Sequence, residues 1–368
     1  MRSKASNPFF FESPSDRWAF TDREAIMPRI IAFMSERNRR MLIHGRRRTG
    51  KTSLMQNAAQ KAGATFLYCD VSKAASLPEL AKKLLESAPP AEESGLLGKV
   101  LGIAKKHFKT VALAAGRVTL SGELKPEDGV HTLEDVLNYL NEQAGIMDKP
   151  WTICLDEFQD IQILMGSRAA WQLRGIIQGH RNVNFLFSGS DHRLVKWMTS
   201  PDAAFFKQLT QLEVGPIEPA HLADWIQRRA KIGGLARFAY GQDIVAMAGP
   251  CTGDVVRLAK VVFDMAAAGR TDGVVHAGFD AIALVELNTE FGAYWREMAT
   301  AQRLMMRAVA AGKQPLAAAT LRELGIKTPS SAQRAIVGLE HKQHLVRIDS
   351  KLAFDNPFFR RWVEFNGT

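Results

Sequence analysis

From residue 40 to residue 190 the chain alternates between two hydrophobic patterns. Short apolar runs ending on a polar residue or glycine read as buried strands: RMLIHG (40–45), ATFLYCD (64–70), WTICLDE (151–157) and NVNFLFSGS (182–190). Between them apolar positions recur at helical spacing. SLMQNAAQKAG (53–63) reads as a helix, and Ser76-Leu77-Pro78-Glu79 opens another with a capping-box arrangement. Thr132 is the expected cap of TLEDVLNYLNEQAG, and a further helix is expected over roughly 167–180. Strands alternating with helices predict an α/β fold built on a doubly wound parallel sheet. Residues from about 89 to 130 interrupt it. APPAEESG is linker-like, GLLGKVLGIAKKHF fits a helix and RVTLSGELK alternates like a strand, so the segment reads as an insertion holding a short hairpin or a helix–strand unit.

Beyond about residue 215 the strand signal fades. EPAHLADWIQRRAKIGG, QDIVAMAG and GDVVRLAKVVFDMAAAG all read as helices. From about 295 two helices (298–311 and 316–325) precede one starting near Ser330, and HLVRIDSKLAFDNP then resembles a two-stranded wing. That order predicts a winged helix-turn-helix. The expected division is 1–39, 40–214, 215–294 and 295–368.

The 368 residues suffice for two or three cores. No apolar run approaches the roughly 18 residues of a membrane helix, and the N-terminus lacks the apolar stretch of a secretory signal, so a cytoplasmic protein without membrane contact is expected. Cys69, Cys154 and Cys251 lie far apart and are expected as buried free thiols. Lys and Arg number 48 against 38 Asp and Glu, a formal charge of +10 that suits contact with polyanions.

The chemistry concentrates in HGRRRTGKTS. Gly45-Arg46-Arg47-Arg48-Thr49-Gly50-Lys51-Thr52 meets G-x-x-x-x-G-K-[ST] at every fixed position, after a strand and at the opening of a helix. In such a loop the glycines let the backbone wrap a phosphate with its N–H groups, and the helix N-terminus favours negative charge. Gly45, Arg46, Arg47, Arg48, Thr49, Gly50, Lys51, Thr52 and Ser53 are thus candidate nucleotide-binding residues, and the resemblance described below implies that the nucleotide is ATP. Lys51 is expected to neutralise the β and γ phosphates, and Thr52 to place its hydroxyl on Mg²⁺. The expected acid is Asp156, at the end of WTICLDE, as the Mg²⁺ partner, with Glu157 polarising the attacking water. Ser190, with Ser188 in reserve, is a candidate γ-phosphate sensor. Arg257, on a helix of the small domain, is a candidate second sensor.

Taken in order, NPF, F-x-x-RE, G-x-RRTGKTSL, LDEFQ, F-SGS and DNPFFRRW resemble the archaeal-type ATPases, P-loop NTPases of the AAA+/STAND group. The resemblance covers nearly the whole chain. It implies an ATPase core, a helical lid, a C-terminal winged helix and an N-terminal segment packing on the nucleotide site. Arg47 and Arg48 match the two arginines of the family loop, while Arg46 occupies its proline position. Two departures stand out. Asp22 replaces the glycine before the RE pair, and Phe205-Phe206-Lys207-Gln208 stands where the family often carries a glycine–arginine pair. Lysine lacks the planar fork of arginine, so slow or partner-stimulated hydrolysis is expected.

The leading reading is therefore a Mg-dependent ATPase acting as a conformational switch, coupled to its winged helix or to a protein partner or second copy. The alternative is a nucleotide-regulated DNA-binding protein, a regulator or loader, with little intrinsic hydrolysis. In it Gln333 and Arg334 read duplex DNA while Lys342, Arg347, Lys351, Arg360 and Arg361 contact phosphates.

Overall fold

Strand β1 (Arg40–His44) is the element on which the phosphate-loop sequence depends, and it lies inside a five-stranded sheet. The other strands are β2 (Thr65–Asp70), β5 (Trp151–Asp156), β6 (Val183–Gly189) and β7 (Thr210–Glu213), in the order β2-β5-β6-β1-β7. Every pairing is parallel. The computed structural model describes residues 5–11, 20–90, 102–103, 108–114, 117–124, 129–190, 192–326, 328–348 and 350–367.

The burial of each strand follows from its place. All residues of β5 and β6 are buried, which explains why their mostly apolar sequences do not alternate: helices cover both faces of a parallel sheet. Strand β7 occupies an edge and buries only Leu212, so its TQLE sequence carries no periodic signal and was not anticipated. Helix α1 (Met27–Ser35) and helix α2 (Lys51–Ala62) share one apolar layer with β1, through Ile30, Met34, Leu54, Met55 and Ile43. On the other face lie α3 (Leu77–Ser87), α4 (Gly129–Ile146) and α6 (Ala169–Ile177), the last preceded by the short α5 (Ile161–Met165).

Local capping is close to expectation at α3. Ser76 Oγ accepts from Glu79 N at 3.3 Å, while the Glu79 carboxylate reaches one residue further back, to Ala75 N at 2.8 Å. Helix α4 starts at Gly129, three residues before Thr132, which is buried and therefore not its cap. Gly129 fits because a Cβ there would lie 3.0 Å from both Leu77 Cβ and Pro78 Cδ. In the insertion, β3 (Phe108–Ala114) pairs antiparallel with β4 (Arg117–Leu124), so a hairpin rather than a helix holds Phe108. The remainder of the helix expected over GLLGKVLGIAKKHF lies outside the described residues, apart from the helical pair 102–103. Helix α7 (His192–Thr199) connects β6 towards β7.

Two compact units result: Pro14–Gly215, which holds the sheet, and Met1–Ser13 joined with Pro216–Thr368. The second unit is helical. Helices α8 (Pro219–Ile232), α9 (Gly241–Ala248) and α10 (Thr252–Ala267) are those the periodicity predicts. The sequence reading missed α11 (Val274–Asp280), which runs into a π-helical turn (Ala281–Glu286), and α12 (Asn288–Glu297). Helices α13 (Thr300–Ala310), α14 (Ala318–Glu323) and α15 (Pro329–His341) follow, then the antiparallel pair β8 (Leu345–Ile348) and β9 (Lys351–Phe354), the order expected of a winged helix. Helix α16 (Pro357–Asn366) closes the chain. One apolar core runs through this unit, with Phe279 against Phe358 and Phe291 against Phe359, each pair 4.8 Å between ring centres.

The two Asn-Pro-Phe sequences share a local device. Asn7 Oδ1 accepts from Phe9 N at 3.0 Å, and Asn356 Oδ1 accepts from Phe358 N and Phe359 N at 2.9 and 3.2 Å. Each turns the chain so that a following phenylalanine is buried. Phe9 packs edge-on against Trp225 and Phe263, and Asn7 Nδ2 donates to Lys260 O and Asp264 Oδ1, which fastens residues 5–11 to α8 and α10.

Candidate nucleotide site at the carboxyl ends of the sheet

The strand order dictates what can meet at this end of the sheet. Strand β6 lies between β1 and β5, so whatever leaves β6 sits between the loop leaving β1 and the acids leaving β5. The register makes this specific: His44 is level with Gly189, and Asp156 with Asp70 across β2. Ligands of open parallel sheets bind at such carboxyl ends.

The loop from β1 to α2 needs its glycines. Gly45 has φ +151°, and a Cβ on it would lie 2.3 Å from Val214 O. Gly50 caps α2 in the left-handed region, φ 87°, and as glycine it puts no side chain over the helix start. The N–H groups of the first turn of this 12-residue helix face the end of the sheet where a phosphate site is expected. Lys51 is 6% exposed, and its Nζ donates to Gly45 O at 2.8 Å and Arg46 O at 2.9 Å. Thr49 Oγ1 also donates to Arg46 O, at 2.8 Å.

The three arginines therefore do different things. Arg46 contributes a carbonyl that accepts from both Lys51 and Thr49. Arg47 sends Nε to Ser190 Oγ at 3.4 Å. Arg48 occupies the left-handed region, φ 61°, and bends the loop. Ser53 lies in the first turn of α2, its carbonyl accepting from Asn57 Nδ2 at 2.7 Å.

Both acids lie at this end of the sheet. Asp156 is 3% exposed, and its Oδ2 accepts from Thr52 Oγ1 at 2.8 Å. Two further donors were not anticipated: Tyr68 OH reaches Oδ2 at 2.8 Å, and Glu157 N reaches Oδ1 at 3.0 Å. Glu157 takes a left-handed backbone, φ 49°, which turns its side chain towards β6. Its Oε2 accepts from Ser190 Oγ at 3.0 Å and Gln159 Nε2 at 2.5 Å. Ser190 thus joins Arg47 of the loop to Glu157, whereas Ser188 is buried two residues back with no partner for its hydroxyl among the described residues. Gly189 makes room for Gln159, since a Cβ there would lie 2.4 Å from Gln159 Oε1.

Arg23, of the RE pair, is buried and donates through Nη2 to Thr49 O at 2.9 Å, tying the N-terminal segment to the loop. Burial pushes its pKa down, only partly offset by the charge of Asp22. Asp22 has φ 61°, a backbone that glycine adopts freely; aspartate is among the side chains that tolerate it. Lys207 is also left-handed, φ 56°, and lies over the Phe206 ring at 5.3 Å. Arg257 belongs to the helical unit, where Nη2 donates to Glu286 Oε1 at 2.6 Å and the guanidinium lies 5.0 Å from the Phe11 ring centre.

No protein-family model and no curated protein sequence matches the chain. Solved structures do. A Walker-type ATPase of Pyrococcus abyssi superposes with a TM-score of 0.70 at 16% identity, over 97% of this chain and 100% of the other. The ORC2 protein of Aeropyrum pernix, in its ADPNP and ADP complexes, superposes with a TM-score of 0.57 at 16% identity, covering 95% and 96%. This is an AAA+ P-loop fold. The ORC1 protein of Aeropyrum pernix in complex with DNA shares it more distantly, with a TM-score of 0.51 at 14% identity over 94% and 93% of the two chains. Within the AAA+ fold, the residues at the strand ends of this chain suit a magnesium nucleotide. A hydroxyl and a carboxylate are the hard oxygen donors that Mg²⁺ takes from protein, the rest of its shell coming from water and phosphate. No cluster of three or more His, Cys, Asp or Glu that could hold a metal alone occurs among the described residues. No helix among the described residues is long and apolar enough to cross a membrane.

Proposed function

We propose that this chain binds Mg-ATP at the loop 45–53 and hydrolyses it slowly, using the energy to switch its own conformation. The observation that carries this reading is the 2.8 Å contact between Thr52 Oγ1 and Asp156 Oδ2, beside the buried Lys51 amine. Thr52 and Asp156 would hold the Mg²⁺, which supplies charge neutralisation at the phosphates. Lys51 exchanges its two carbonyl partners for β and γ phosphate oxygens. Glu157 is the base. Oε2 is fixed by Ser190 and Gln159, which leaves Oε1 to orient the attacking water and draw its proton. In-line attack on the γ-phosphate then yields ADP and phosphate. Arg47 reaches Ser190 from the loop that would carry the triphosphate, so the γ-phosphate and the base are connected through one hydroxyl. In this reading residues 215–294 are the lid and Arg257 is its sensor, a role that takes the guanidinium away from Glu286.

Thermal unfolding tests the binding step. At about a hundred times Kd, Mg-ATP stabilises the state that binds it by ~2.7 kcal/mol. For a unit of this size that raises the transition of Pro14–Gly215 by about 5 °C or more. An unmoved transition at millimolar Mg-ATP would sink the proposal.

A second reading adds duplex DNA. Helix α15 presents Ser330, Gln333, Arg334 and Val337 as one exposed stripe, a face of polar and methyl groups such as groove readers carry. Lys342 and Lys351 flank it, exposed. Three other candidate phosphate contacts are engaged internally: Arg347 with Glu340 at 2.8 Å, Arg360 with Glu364 at 2.9 Å, and Arg361 with Asp280 at 2.7 Å. The expected binding is accordingly weak, with a shallow salt dependence of about two or three released counterions, and Arg334→Ala weakens it further. Fluorescence anisotropy on labelled duplexes across a salt series measures both; an affinity indifferent to salt contradicts this reading.

A further inference from the structure

Two hydroxyls donate to the same carboxylate oxygen, Asp156 Oδ2. Thr52 comes from the first turn of α2 and Tyr68 from β2, each at 2.8 Å. Their chemistry differs. The threonine hydroxyl belongs to the phosphate loop, and on the reading proposed above it turns to the ion when Mg-ATP binds. The phenol does not have that choice. Tyr68 projects from a strand paired in register with β5, opposite Cys154, and its ring leans on Phe66 at 6.4 Å. An ordinary phenol, with a pKa of about 10, keeps its proton and stays a donor throughout the neutral range.

We propose that Tyr68 is the positioning residue of the metal site. Its O–H occupies one lone pair of Asp156 Oδ2, and the Glu157 amide occupies one of Oδ1, which together fix the carboxylate plane. With that plane fixed, the Oδ2 lone pair that now accepts from Thr52 would be available to the ion. A carboxylate lacking the phenol swings about its Cβ–Cγ bond, and the ion must restrain it. Partners of a metal ligand that orient it in this way change affinity for the ion by about 10- to 100-fold when removed.

The inference rests on the Mg-ATP reading, and its test separates the two. Binding of a fluorescent ATP analogue to full-length wild type and to Tyr68→Phe is titrated with Mg²⁺ at fixed nucleotide, and measured again in EDTA. Tyr68→Phe should raise the half-saturating Mg²⁺ about tenfold while leaving affinity in EDTA within twofold of wild type. Phenylalanine retains the ring packing, and the thermal transition without ligand checks that the fold is kept. Two results overturn the role of Tyr68: an unchanged Mg²⁺ dependence, or a parallel loss in EDTA and in Mg²⁺, which marks a structural residue only. Wild type that binds no nucleotide under either condition overturns the underlying reading, and this proposal with it.

Discussion

Replacing Lys51 by alanine is expected to weaken Mg-ATP binding about a hundredfold or more and to abolish phosphate release. The argument starts from burial. The Lys51 amine is shut inside the loop at 6% exposure, held by the carbonyls of Gly45 and Arg46 at 2.8 and 2.9 Å. Charged donors to phosphate oxygens each contribute about 1.5–3 kcal/mol, and every 1.4 kcal/mol is tenfold in affinity. Losing two such bonds gives the stated factor. Alanine also removes the cross-brace of the loop in the absence of ligand, leaving two carbonyls without that donor at a cost of about 1 kcal/mol in stability. Lys51→Arg is not a rescue: the guanidinium is larger, planar and forked, and does not place one compact charge between the carbonyls of Gly45 and Arg46. Isothermal calorimetry measures the affinity and a phosphate-release assay the turnover. An alanine variant within threefold of wild-type affinity would remove Lys51, and the loop with it, from the proposed function.

The parts of this site that were legible in the sequence are those where one residue type has one physical use. Glycines at 45 and 50 are required by φ values of 151° and 87° and by the approach of Val214, and a lysine followed by threonine at the start of a helix is a recognisable pair. The central strands were legible because burial on both faces leaves mostly apolar runs with no alternation. Strand β7 was not, since an edge strand of four residues with one buried side chain leaves no periodicity to read. The helices from Val274 to Glu297 were also missed; a glycine in their first segment and a π-helical turn in their middle break the 3.6-residue repeat. Thr132 has the composition of a cap but sits inside α4, because a glycine at 129 lets the helix begin earlier against Leu77 and Pro78.

What the sequence concealed at the site itself is the set of supporting polar groups. Tyr68 sits in an apolar strand where tyrosine ordinarily means packing, and only the register of β2 with β5 brings its hydroxyl to Asp156. Gln159 follows Glu157 by two positions, but its bond to Glu157 depends on the left-handed backbone at 157 and on the missing side chain at Gly189. Asp22 illustrates the opposite case. As a letter it departs from the glycine of the resembled family; as a conformation, φ 61°, it supplies the turn that glycine would. Arg23 then reaches Thr49 O from the far side of that turn, so the N-terminal segment braces the phosphate loop through backbone geometry that composition does not report.

Glu157→Gln is expected to bind Mg-ATP within about threefold of wild type and to release phosphate 10²–10⁴-fold more slowly, the span ordinarily supplied by a positioned general base. The substitution is informative because it changes little else. Glutamine is close in size to glutamate and accepts the same left-handed backbone at a similar cost, so the turn that follows β5 persists. Its amide oxygen can still accept from Ser190 Oγ and Gln159 Nε2, and the Glu157 N–H continues to donate to Asp156 Oδ1, so the metal ligand keeps its orientation. What disappears is the second carboxylate oxygen, the one free to take a proton from water; in the variant an NH₂ group stands there and can only donate. Binding and turnover therefore separate. Single-turnover phosphate release with pre-bound Mg-ATP reads the chemical step directly, free of product release. Undiminished turnover would transfer the base role away from Glu157. A matching loss of binding would show instead that Glu157 acts through Asp156 as part of the metal site.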